Sequence, residues 1–333
     1  MTKIKILYHN QLPTVWDSLG NTIFEFIKLR SGVTYDPNIY FVLVDYAETF
    51  IRVQHNPFDT NFDNWIQPYI DGNFKIIVDH TWESYAVDKS TITNNMLVLK
   101  SPHWMLIHEH FLYSQWGYKN QLLTSNIDKF FLLLMNATRA HRDNLYKKVT
   151  PYLNNSIYSY VSRGIEINGN TLNNNGFLQN DRAFDPTWYS TTAFSLVAET
   201  TLDLVRPPEY CPPIGQRLFV TEKSYKPCAF KHPFIIYGGT GTLSYLKSNG
   251  FETFDHIIDE GYDTIIDDQQ RLLAIDYELN KLYTEYTQGK QLFGDSISRE
   301  KIEHNFNRFY DIKFINQLIN EEIITPIMDF VNA

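Results

Sequence analysis

Eight short apolar or aromatic runs punctuate this chain, and several of them have no polar face: residues 3–8 (KIKILY), 39–45 (IYFVLVD), 74–79 (FKIIVD), 104–109 (WMLIHE), 130–135 (FFLLLM), 156–161 (SIYSYV), 193–199 (AFSLVAE) and 233–239 (PFIIYGG). A strand that is apolar on both sides has to be covered on both faces, and helices packed on either side of a parallel sheet provide that cover. The expected class is therefore α/β. Segments 18–29, 139–150, 242–249 and 267–287 read as the helices between runs, the last with Leu272, Leu273, Ile275, Leu279 and Leu282 at helical intervals. No internal repeat recurs at a fixed period.

At 333 residues the chain exceeds one ordinary core and divides comfortably into two domains of about 150 residues each. A polar stretch at 117–128 (GYKNQLLTSNID) marks the junction. We expect one domain over 1–125 and a second over 126–295, with helices over 296–333 packing back on the first. The Asn-rich segment 168–188 reads either as a flap crossing a cleft or as a surface insertion.

Charge and cysteine content narrow the partners. A net charge of −9 disfavours salt-driven binding to nucleic acid, whose phosphates the average surface would repel. Positive charge is nonetheless concentrated locally, at Arg139, Arg142, Lys147 and Lys148 and again at Lys223, Lys226 and Lys231, a pattern suited to a small anionic ligand. Cys211 and Cys228 are the only cysteines, too few for a disulfide framework or a Cys-rich zinc site. The opening residues MTKIKILYHN lack the features of a secretory signal, and FFLLLM is far shorter than the roughly 20 residues that span a bilayer, so a cytoplasmic protein with no membrane span is expected.

Three segments carry residues fit for chemistry. In NATRAHRDNLYKKV a buried strand stops and Asn136 or Thr138 can cap a helix, which puts Arg139 and Arg142 one turn apart near its start. Cations there oppose the helix dipole, a cost of about 0.3–1 kcal/mol that a bound anion would offset; the spacing also fits two solvated surface arginines. Glu199 ends an apolar strand, where α/β sheets build their ligand crevice, and there it can accept from a sugar hydroxyl or cap the next helix. In TEKSYKP, Thr221 reads as an N-cap with Glu222 and Lys223 in the first turn, Lys226 a turn on, and Pro227 either interrupting the helix or opening a second one. Gly238, Gly239 and Gly241 then lie between a strand and a helix, where backbone can approach a ligand or merely turn.

Taken together, IIVDHTWES, NATRAHRDNLYKKVTPYLNNSIYSYVSRG, FSLVAET and RLFVTEKSYKPCAFKHPFIIYGG, in that order along the chain, resemble blocks of the α1,3-fucosyltransferase family. That resemblance implies a GT-B fold: two Rossmann-like domains facing a cleft, with the acceptor on the N-terminal side and the nucleotide-sugar on the C-terminal side. It also implies inverting, metal-independent transfer from a nucleotide-sugar, with GDP-fucose as the donor by likeness alone, to a hydroxyl on a glycan or other target. By the same resemblance Glu222 would hold the ribose, Lys223 and Arg142 the diphosphate, and Glu199 would line the sugar. Arg139, Thr221, Lys226 and Gly239 would complete the donor site, and Glu83 would be the general base, with Asp79 and Glu109 as competing carboxylates.

Departures from the family pattern are visible. The insertion at 201–217 separates Glu199 from Thr221, and Thr200 stands where the family has Asn. No Asp-x-Asp occurs, in keeping with an expected absence of metal. The His108-Glu109-His110 run, read as a strand, would put both histidines on one face without a third ligand nearby. The rival reading is a non-catalytic module, virion-associated or otherwise, that binds a sugar or nucleotide. A dehydrogenase is disfavoured because no Gly-x-Gly-x-x-Gly follows the first strand. Many asparagines and few alanines point to a bacterial or viral AT-rich genome, in which a hydroxylated DNA base is a further, less favoured acceptor.

Overall fold

The computed structural model describes residues 3–8, 23–30, 33–45, 68–80, 94–120, 127–165, 167, 185–200, 202, 218 and 220–333. The chain splits into two compact units, one formed by Met1–Leu112 with Ile312–Ala333 and the other by Tyr113–Asp311. All pairings among the named strands are parallel, so the α/β class follows directly from the ladders.

The first unit holds β1 (Ile4–Tyr8), β2 (Phe24–Lys28), β3 (Tyr40–Asp45), β4 (Lys75–His80) and β5 (Met96–Lys100) in the order β2-β1-β3-β4-β5. Leu7 pairs with Val42, Val42 with Ile76 and Ile76 with Met96, so one row of apolar side chains crosses four strands and forms a core cluster. Two expectations fail here. The sequence pattern predicts a helix over 18–29, but Phe24–Lys28 is a strand paired with β1 along its whole length. The apolar run WMLIHE predicts a strand, but Trp104–Gln115 is a helix, α1. Successive residues of a helix turn by about 100°, so His108 and His110 project roughly 200° apart and the shared face foreseen for them does not exist.

The second unit holds β6 (Lys129–Met135), β7 (Ile157–Tyr160), β8 (Thr192–Ala198) and β9 (Phe234–Tyr237) in the order β7-β6-β8-β9. Its helices are α2 (Ala140–Val149), α3 (Thr187–Thr191), α4 (Glu222–Ala229), α5 (Thr242–Ser248), α6 (Asp268–Thr287) and α7 (Ser296–Phe309). Strand β8 is buried at each of its seven positions, including Thr192 and Ser195. The Ser195 hydroxyl lies 2.8 Å from His232 Nδ1, and the Thr192 hydroxyl donates to the Trp188 carbonyl at 2.6 Å, while His232 Nε2 lies 2.9 Å from the Thr192 carbonyl.

Strand order locates the ligand crevice of this second sheet. The chain passes from β6 to β7 on one side, then returns to place β8 and β9 on the other. The order therefore reverses between β6 and β8, and in open α/β sheets such a reversal opens a crevice at the carboxyl ends of the two strands.

Candidate functional site at the carboxyl ends of β6 and β8

Helix α2 starts just after β6, and its N-cap is Arg139, with extended backbone (φ −146°, ψ 146°) and no side-chain cap bond. Asn136 and Thr138 were the expected caps. Thr138 instead bonds Ser162, with 2.6 Å between hydroxyl oxygens. The Arg139 side chain is half-buried.

Arg142 is not a solvated surface arginine, being 2% exposed. Its guanidinium donates to the carbonyls of Ala137 (3.1 Å), Ala198 (3.3 Å) and Glu199 (3.1 and 3.3 Å). It therefore spans from the end of β6 to the end of β8. Burial presses its pKa below the ordinary value, and the Glu199 charge works against that shift.

Beside it, His141 donates from Nε2 to the Glu199 carbonyl at 3.0 Å. A carbonyl only accepts, so the ring proton sits on Nε2. Burial, aided by Arg142 and Arg139, lowers this imidazole to about 4, so at neutral pH it is uncharged and its Nδ1 is a bare acceptor. The sequence reading passed over His141, although its place between two arginines was visible.

Glu199 is fully buried. Its Oε1 accepts from the Thr221 amide (3.0 Å) and Ser224 Oγ (2.6 Å), and its Oε2 accepts from Thr221 Oγ1 (2.6 Å) and the Thr200 amide (3.1 Å). Glu199 and Thr221 thus meet directly across 22 positions of sequence, despite the intervening insertion. Thr221 is the N-cap of α4, its Oγ1 accepting from the Lys223 amide at 3.4 Å. The helix runs on through Pro227 to Ala229 and is neither interrupted nor restarted there.

The Lys223 ammonium donates to Thr200 Oγ1 (3.0 Å), Thr221 Oγ1 (3.3 Å) and Glu222 Oε1 (2.5 Å). Both Lys223 and Glu222 side chains are about one-fifth exposed, at 21% each. Lys223 is thereby carried to the end of β8, where Arg142 also binds. Lys226 lies a turn further along α4 and is half-buried.

At the end of β9, Gly238 has no room for a side chain: an added Cβ would lie 2.7 Å from Thr242 Oγ1 and 3.4 Å from Glu199 Cγ. The Gly239 carbonyl accepts from Thr242 Oγ1 at 2.7 Å, and Gly241 caps α5 in the left-handed region (φ +86°). A second buried carboxylate, Asp263, closes that helix entrance. Its two oxygens accept from the amides of Leu243 (3.0 Å) and Ser244 (3.1 Å), and burial raises its pKa against the pull of those amides. Arg271, 1% exposed, braces the same corner through Gly238 (2.6 Å), Ile265 (2.9 Å) and Ile266 (2.9 Å) carbonyls and through Asp268 Oδ1 (3.0 Å). Neither Asp263 nor Arg271 was singled out by the sequence, because a lone acid in a loop and a lone arginine in an amphipathic helix carry no pattern.

Three helices therefore begin along this sheet edge, and two of their entrances hold a carboxylate of the chain itself. Glu199 serves α4 and Asp263 serves α5. At α2, flanked by Arg139 and Arg142, the Arg139 amide donates to the Tyr160 hydroxyl at 3.4 Å, and the acid of the first turn, Asp143, accepts from that hydroxyl and from Arg163. Glu83 and the Asn-rich loop at 168–184 lie outside the described residues, as does Cys211. Asp79 is in β4, and Glu109 is a buried residue of α1 with its Oε1 3.2 Å from His108 Nδ1.

No family model matches this chain, and no curated protein matches it in sequence. Among solved structures it is similar to the crystal structure of an α1,3-fucosyltransferase with GDP-fucose, at 12% identity over 93% of this chain and 90% of the other, with a TM-score of 0.41.

Proposed function

We propose that this chain is a GT-B-type glycosyltransferase that binds a nucleotide-sugar with its diphosphate at the carboxyl ends of β6 and β8. The observation that supports the reading is that Arg142 and Lys223 both reach the end of β8 at that reversal point, beside the helix entrance capped by Arg139. The order of family-like blocks in the sequence supports it independently. Arg139, the α2 amides and Lys223 take the diphosphate, Glu222 takes the ribose, and the Gly239 turn lets backbone approach the donor. Arg142 supplies charge from behind, its donors being directed to carbonyls.

In this reading the transfer is inverting. Glu83 removes the proton of the acceptor hydroxyl as that oxygen attacks the anomeric carbon, while the bond to the nucleotide breaks on the opposite face. The departing diphosphate is stabilised by the cations and the helix dipole, without a metal. GDP-fucose is the first donor to try, on the resemblance of the TEK segment, and the acceptor is a hydroxyl on a glycan or other target.

Calorimetric and thermal-shift screening against GDP, UDP, ADP and CMP tests the site. A nucleotide present at 100 times its Kd should stabilise the fold by about 2.7 kcal/mol. Removing the Lys223 ammonium removes a charge-assisted contact of about 1.5–3 kcal/mol, so Lys223→Ala should weaken that nucleotide about tenfold to hundredfold. No stabilisation by any of the four would overturn the proposal. Glu83→Gln should bind like the wild type and transfer nothing; nucleotide binding by a wild type that transfers to no acceptor would favour the non-catalytic module.

A further inference from the structure

We infer that Glu199 is a positioning residue, which orients the Thr221 hydroxyl and fastens the Thr200 backbone, the two residues on whose hydroxyls the Lys223 ammonium rests, and makes no contact with the donor. The part of this inference that concerns ligand affinity rests on the donor-site reading above; the part that concerns α4 does not.

A carboxylate offers about four lone-pair positions. In Glu199 four donors occupy them, two on each oxygen, and the residue is wholly buried. No capacity is left for a sugar hydroxyl. Three of those donors belong to the cap and first turn of α4, namely the Thr221 amide, the Thr221 hydroxyl and the Ser224 hydroxyl. The fourth is the Thr200 amide at the end of β8. One carboxylate thereby fastens a helix entrance to the strand that precedes it in the sheet.

The consequence passes to Lys223 through proton direction. A threonine hydroxyl has one proton, and Thr221 gives its own to Glu199 Oε2. Its lone pairs are then left for the Lys223 amide and the Lys223 ammonium. The ammonium's other resting points are Thr200 Oγ1, whose residue Glu199 holds by the backbone, and Glu222. Replacing one oxygen of Glu199 by an amide NH2 reverses this order. Placed at Oε2, the NH2 group faces the Thr200 amide and forces the Thr221 hydroxyl to accept, turning its proton toward Lys223. Placed at Oε1, it faces the Thr221 amide.

The test uses the full chain with three variants, Glu199→Gln, Thr221→Val and Thr221→Ser. Backbone hydrogen exchange over residues 221–226 is measured by mass spectrometry, and GDP affinity by calorimetry. Glu199→Gln and Thr221→Val should each speed exchange in the first turn of α4 at least tenfold and weaken GDP about tenfold, and Thr221→Ser should recover most of both losses. In a Lys223→Ala background Thr221→Val should cost less than twofold further, because its effect passes through the ammonium; a merely structural fault would cost the same in both backgrounds. Unchanged exchange in Glu199→Gln overturns the inference, as does a variant that loses GDP-fucose while keeping GDP. Should Glu199→Gln not fold, Ser224→Ala, which removes a single donor, carries the same exchange measurement. A wild type that binds no nucleotide sinks the donor-site reading, and the exchange result then decides the α4 role alone.

Discussion

His232 should make the second unit acid-sensitive in a way that can be isolated. The ring is 4% exposed, with Nε2–H donating to the Thr192 carbonyl and Nδ1 accepting from Ser195, an arrangement that suits the neutral form. Burial lowers the imidazole to about 4 from an unfolded value of 6.5. Between those values the unfolded chain binds the proton and the folded chain does not, so stability rises with pH across this window. The contribution is complete above pH 6.5 and is lost as the pH falls through 4. For these two values the loss at pH 5 is about 2 kcal/mol, nearly all of it incurred below pH 7. His232→Gln, whose amide N–H can replace the donor toward Thr192, does not titrate here. Urea unfolding at pH 7, 6 and 5 should show the wild type losing about 2 kcal/mol more than the variant over that range. Carboxylates shared by both proteins cancel in the comparison. Parallel pH profiles for the two would refute the assignment of a neutral buried ring.

Other substitutions probe the corner of the second unit that braces the candidate site. Arg271→Lys keeps the charge but loses the planar fork that reaches three carbonyls and Asp268, and should cost about 2–3 kcal/mol in chemical unfolding. Wild-type stability in that variant would show that solvent already serves those carbonyls. Gly238→Ala puts a methyl group 2.7 Å from Thr242 Oγ1, which cannot swing aside without leaving the Gly239 carbonyl. A cost of about 1–3 kcal/mol is expected by thermal denaturation, with nucleotide binding weakened in step.

Much of the fold was legible because parallel strands buried on two faces leave a distinctive run of letters. The missed strands β2 and β5 are the two edges of the first sheet, where charge is tolerated and even useful, and Glu25 and Lys28 in FEFIK are exposed as an edge permits. The misread run WMLIHE failed for the opposite reason. Helix α1 is buried at Trp104, at each position from Leu106 to His110, and at Leu112 and Tyr113, so it has no polar stripe to betray a period of 3.6. Of the candidate site, Thr221 as a cap and the nearness of Arg142 to the end of β6 were readable from spacing. The partners that decide their roles were not: Glu199 reaches Thr221 from 22 positions away, and Asp263 reaches Leu243 from 20.

Those distant partners change what the cationic residues can do. A helix entrance carries about half a positive charge in unpaired amides, and any anion within reach will settle there. At α4 and α5 the anion is Glu199 or Asp263, held in place by the fold, so a diphosphate arriving at this edge would have to displace a buried carboxylate to use either entrance. At α2 the Arg139 amide donates to the Tyr160 hydroxyl rather than to a carboxylate. The neighbouring cations are already oriented, Arg142 by three carbonyls and Lys223 by two hydroxyls and Glu222, so a diphosphate bound there would require little reorganisation. In the proposed reading, selectivity for one ligand position among three similar helix ends would come from the carboxylates at the other two, contacts of long sequence separation that counting lysines and arginines along the chain does not reveal.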